Sequence, residues 1–65
     1  MRGPHPKSLE PLLTVPEVAE ICQVSERTIR RWIAERALRS TRLGRNVRVR
    51  RSDLEAFIRE GFDHV

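Results

Sequence analysis

The stretch "VSERTIRRWI", residues 24–33, places Ser25, Arg27, Thr28, Arg30 and Arg31 in one helix-sized segment, interleaved with Ile29, Trp32 and Ile33. A guanidinium group is planar, permanently charged and donates paired N–H bonds that match a phosphate or the O6/N7 edge of guanine. A second set follows in "RLGRNVRVR", with Arg42, Arg45 and Arg48. Residues 27–51 hold ten arginines against a single acid, Glu35, a net charge of +9, whereas residues 1–26 carry −2 and residues 52–65 carry −3. Twelve of the thirteen basic residues are arginine. A block of one sign between acidic ends points to a polyanion held on one surface. An ordinary solvated face mixes both signs. A membrane-surface helix does not fit either, because Gly44 interrupts the block and its period changes to two.

Other chemistries lack their residues. The only lysine is Lys7, so no phosphate-binding loop ends in Gly-Lys. His5 and His64 lie near the termini with no spaced cysteine or histidine, which argues against a metal site. Cys22 is alone and forms no internal disulfide; its spacing reads as a small apolar core residue. The chain contains no tyrosine, so it is not itself a recombinase that uses one. In 65 residues there is little room for a catalytic pocket beside a binding face. Neither enzyme activity nor a cofactor is expected. Absence of a disulfide framework, of a long apolar run and of a signal-peptide pattern in "MRGPHPKSLEP" reads as a cytoplasmic protein with no membrane role.

The elements that must position the arginines follow from local signals. Residues 1–11, with three prolines and Gly3, read as a flexible tail. Thr14 and Glu17 have capping-box spacing, Pro16 is tolerated in the first turn, and Leu13 and Val18 are placed to staple across it. Val15, Val18, Ala19 and Cys22 follow helical spacing toward a core. Ser25 caps a second helix running from about Glu26 to about Glu35. At about 100° per residue, Ile33 and Trp32 fall within about 60° of Ile29 and mark the buried side. On the same wheel Arg27 and Arg31 lie opposite them, and Arg30 lies on the flank. Trp32 is thus a core residue. "LRSTRLGRNVRVR" reads as strand, turn, strand. With a turn at Gly44-Arg45-Asn46, Leu43 pairs with Val47 and Thr41 with Val49, which sets Arg42 opposite Arg48 on the outer face. A third helix starts at a Ser52/Glu55 capping box, buries Leu54, Phe57 and Ile58, and ends at Gly61 with Phe62 touching Phe57. Residues 12–60 form the domain and 61–65 a C-terminal tail.

The order helix, turn, helix, β-hairpin, helix, with "LLTVPEVAEICQVSERTIRRWI" followed by "RLGRNVRVRRSDLEAFI", resembles the small winged helix-turn-helix DNA-binding domains of the excisionase type, related to the MerR-like regulators. The resemblance covers residues 12–58. It implies a mainly α fold with a small β-hairpin, the second helix in the major groove of double-stranded DNA, and the hairpin as a wing on phosphates and the minor groove. Ser25, Arg27, Thr28, Arg30 and Arg31 then fall on the recognition helix. Arg42, Arg45 and Arg48 fall on the wing, with Arg45 at its tip. The family often has glycine where Gln23 and Arg36 stand here. An excisionase, or recombination directionality factor, binds and bends a phage or mobile-element attachment site. It thereby directs an integrase, a tyrosine recombinase rather than a serine one, toward excision. Short tails agree with that role. Head-to-tail self-association through the acidic C-terminal segment would extend it along the duplex. Two alternatives stay open: a small transcriptional regulator of the same fold, and a basic interaction module that meets an acidic protein.

Overall fold

The computed structural model describes residues 11–61, which run β1 (Leu12–Thr14), α1 (Val15–Cys22), α2 (Glu26–Ala34), β2 (Thr41–Leu43), β3 (Asn46–Arg50) and α3 (Arg51–Glu60). The strands form one antiparallel sheet in the order β1-β3-β2. The architecture is the expected winged helix-turn-helix, mainly α with a small hairpin.

Local chemistry sets the start of α1. Thr14 Oγ1 accepts from the Glu17 N–H at 3.2 Å, Glu17 Oε1 accepts from the Thr14 N–H at 2.8 Å, and Pro16 sits in the first turn. The Thr14 backbone N–H, then the Thr14 hydroxyl, and more weakly the charge of Arg48 hold the Glu17 carboxyl below its ordinary value. A lowered folded-state pKa contributes stability that is present above the unfolded value and is lost as pH falls through the folded one. Wild type should therefore melt above Glu17→Gln at neutral pH, and thermal melts should show that gap closing below the ordinary carboxylate range.

One core cluster joins Val15, Val18 and Ala19 of α1, Ile29 of α2, Leu38 of the following loop, Val49 of β3 and Leu54 of α3. Trp32 and Phe57 pack against it with ring centroids 5.2 Å apart at 45°, tying α2 to α3. Cys22 also packs on this cluster, and burial pushes its thiol pKa up, as suits a small apolar group rather than a reactive thiol.

Both helices of the motif end in the Schellman pattern. After α1, the Val24 N–H donates to the Ala19 carbonyl at 3.1 Å with Gln23 at φ 59°. After α2, the Ala37 N–H donates to the Trp32 carbonyl at 2.9 Å with Arg36 at φ 66°. These are the two positions where glycine was expected from the resemblance, and a side chain in the left-handed region is strained by about 1–2 kcal/mol. Greater unfolded-chain entropy returns part of that on mutation to glycine. Gln23→Gly should still gain about 0.5–1 kcal/mol and raise Tm by about 3–6 °C, readable in a thermal melt.

Four readings of the sequence are corrected. First, the hairpin pairs Leu43 with Asn46, Arg42 with Val47 and Thr41 with Arg48. Its turn is the two residues Gly44-Arg45, with φ 63° at Gly44 and no positive φ at Arg45. Glycine at the first central position gives a tight turn whose twist matches the strands, and that overrides the apolar pairing. The one-residue shift turns Leu43 outward and puts Arg42 on the face of Val47. Arg42 and Arg48 therefore do not oppose each other. Arg48 instead lies between Thr14 and Thr41. Second, Leu12–Thr14 is a strand on β3. Third, α3 begins one residue before Ser52, with Arg50 at its N-cap and no side-chain cap bond. The Arg51 N–H donates to the Pro11 carbonyl at 3.3 Å, so the β1–β3 pairing runs directly into the helix. Glu55 accepts from Arg51 Nε at 3.3 Å. Fourth, Ile58 is 53% exposed, while Leu54 is buried and Phe57 packs on the core. Gly61 ends α3 at φ 70° as expected, whereas Phe62 lies outside the described residues.

Candidate nucleic-acid interface

The N-terminus of α2 is fastened by the serine and threonine singled out above. Ser25 Oγ accepts from the Thr28 N–H at 3.1 Å and shares a hydrogen bond with the Thr28 hydroxyl at 3.0 Å. Thr28 is half-buried, so its first role is local. Ile29 is fully buried, and Trp32 and Ile33 lean on the core, which leaves Arg27, Arg30 and Arg31 exposed. Arg30 has Glu26 at 3.9 Å one turn back, a solvent-exposed pair that holds its guanidinium only weakly.

Arg30 turns toward the wing. It lines a recess with Arg45, Asn46 and Arg48, and a second one with Ile33, Ala34, Arg42 and Val47. A third and larger recess, about 560 Å³, is lined by Arg36, Arg39 and Arg42 over Ile33, Ala34 and Leu38. Shared Arg30 and Arg42 join the three into one trough between α2 and the wing. Six arginines line it, together with apolar Val15, Ile33, Ala34, Leu38 and Val47, and no acidic side chain does. Among the described residues no carboxylate comes within 4.0 Å of Arg36, Arg39, Arg42 or Arg45. A concave surface of one sign focuses potential and concentrates a counter-charged partner.

The residues picked from sequence thus divide by place. Arg30, Arg42, Arg45 and Arg48 line the trough. Arg27 and Arg31 stand exposed on α2 away from the core, and Ser25 and Thr28 sit at that helix's N-terminus. Arg36 and Arg39 were left without a role by sequence reasoning. Arg39 falls in the stretch from Leu38 that reads as a strand, whereas β2 begins only at Thr41, so the pattern did not show which way Arg36 or Arg39 faces.

Two helices joined by a tight left-handed turn, with the second presenting arginines beside a β-hairpin, describe a recognisable unit. Residues 12–61 match the family described as "Helix-turn-helix domain". The chain belongs to this family. It is a DNA-binding helix-turn-helix protein, with α2 as the second helix of the motif and β2–β3 as the wing. Neither the curated proteins nor the solved structures give a match to it. Among the described residues of the helix-turn-helix unit, no helix is long and apolar enough to cross a membrane.

Proposed function

We propose that this helix-turn-helix protein is an excisionase-type architectural factor. It binds an attachment site of a phage or mobile element, bends the duplex and directs an integrase toward excision. The observation that carries the reading is the trough: Arg30 of the helix on one side and Arg42, Arg45 and Arg48 of the wing on the other, with no acidic side chain in its lining. In this reading α2 enters the major groove with Ser25, Arg27, Thr28, Arg30 and Arg31. Arg42, Arg45 and Arg48 of the wing grip the adjacent backbone. A straight duplex meets one wall well; a curved one meets both. Smooth bending costs about 1–6 kcal/mol, which the added phosphate contacts offset. The family is often found in excisionase-like proteins, which agrees. The protein acts as a binding partner rather than as an enzyme; strand cleavage belongs to the integrase, a tyrosine recombinase in this reading.

Footprinting across the DNA next to its gene, combined with a gel assay of bending, tests this. Repeated protected sites inside an attachment site, with a bend, are expected. A single palindromic site at a promoter would instead make it a small transcriptional regulator. Duplex binding that is absent, or insensitive to salt, would point to a basic module for an acidic protein, because counterion release from DNA is steep.

A further inference from the structure

The largest recess of the trough lies at the C-terminal end of α2 and shares only Arg42 with the recognition-helix and wing residues named in the proposed function. It is lined by Arg36, Arg39, Ser40 and Arg42 together with Ile33, Ala34 and Leu38. Taken alone, a helix C-terminus repels an anion, since its unpaired carbonyls amount to about half a negative charge. Three guanidinium groups reverse that sign several times over. They repel one another, and no carboxylate among the described residues lies within 4.0 Å of them. Arg36 adds a second observation. At φ 66° it occupies a backbone conformation that glycine adopts without strain, and its side chain is exposed. Schellman hydrogen bonds hold that backbone conformation, as they do at Gln23, and the exposed guanidinium of Arg36 is left at the edge of the recess.

We propose that this recess is a second backbone-phosphate site, in which Arg36, Arg39 and Arg42 hold the phosphodiester strand as it leaves the C-terminal end of α2. The site extends the DNA footprint beyond the helix and the wing tip and rests on the DNA-binding reading above. Phosphate contacts here position the protein without reading sequence. The recess continues into the one shared by Arg30 and Arg42, so a single strand can follow the whole trough.

The test compares wild type, Arg36→Gly, Arg39→Gln and the double variant, on the footprinted site and on random duplex, between about 0.05 and 0.2 M salt. Each single change is expected to flatten the slope of log K against log salt by about 1, and the double change by about 2, on both duplexes alike. The ratio of specific to random binding should hold. Arg36→Gly relieves backbone strain, so it should bind more weakly while melting higher than wild type, a combination that a structural role does not produce. Unchanged slopes with a wild type that binds DNA would overturn the second site and leave the DNA-binding reading intact. Weakening accompanied by a lower Tm would also overturn it, as would a loss of sequence preference at constant slope. Failure of wild type to bind duplex with any salt dependence would overturn both readings together.

Discussion

Replacing Leu38 with alanine is expected to lower Tm by about 10–25 °C and to leave much of the chain unfolded at body temperature. Leu38 is 1% exposed and belongs to the core cluster, although it comes from the loop between α2 and β2 rather than from a helix or strand. Truncation of a buried leucine costs about 2–5 kcal/mol, from the lost transfer energy and the cavity left behind. A domain of this size has only about 3–10 kcal/mol in all. Neither side can refill the space cheaply, because Ile29, Val18 and Val49 are themselves fully buried. Leu38 also lies between Arg36 and Arg39, so a collapsed loop would carry both arginines with it. Urea titration followed by far-UV circular dichroism gives the measurement. Leu38→Met, which nearly conserves volume, should cost less than about 1.5 kcal/mol. Equal small losses for both variants would mean that the loop does not anchor the core.

Leu38 also shows where sequence reasoning stops. The caps at Thr14 and Ser25, the stripe of Val15, Val18 and Ala19, and the set of Ile29, Trp32 and Ile33 are written within single turns of helix, so local pattern was enough to find them. Leu38 opens the stretch that reads as a strand of period two, but β2 begins only at Thr41 and Leu38 lies in the loop before it, so that period did not reveal its burial. Its burial comes from elements brought together from both sides in the chain. The same holds for β1, since three residues are too few to show alternation and its partners are Arg48, Val49 and Arg50. At the wing two local signals competed. Apolar alternation favoured Leu43 beside Val47, and Gly44 favoured a tight two-residue turn. The turn won because the wing tip has too little core to enforce the apolar pairing. The arginine block was plain from composition, but which wall each arginine joins depended on that register. Arg42 is the instructive case: the shift of one residue moved it from the outer face into the trough.

The double variant Arg27→Ala/Arg31→Ala is expected to lose roughly 2–5 kcal/mol on the specific site, about thirty-fold to several thousand-fold in Kd, while melting at or slightly above wild type. Both side chains are exposed, and neither lines the trough. Ile29 is fully buried on the other side of α2, so the helix has no freedom to turn Arg27 and Arg31 inward. They are one helical turn apart and carry like charge, which costs a helix a few tenths of a kcal/mol, so removing them helps the free fold slightly. As neighbours they are not expected to act additively; single variants at about 1–3 kcal/mol each bound the double one. In the proposed reading these two arginines read base edges while the trough grips phosphates, and the two roles separate in one experiment. Loss of base contacts should fall on the specific duplex far more than on random duplex and relax preference at the contacted positions. If specific and random binding fell together, with a flatter salt slope, Arg27 and Arg31 would be phosphate contacts. Sequence readout would then have to come from Arg30, the one arginine of α2 that faces the wing. If affinity on both duplexes stayed at wild-type level, the outer face of α2 would not be the face that meets DNA. The trough would then have to hold the duplex from the wing side alone.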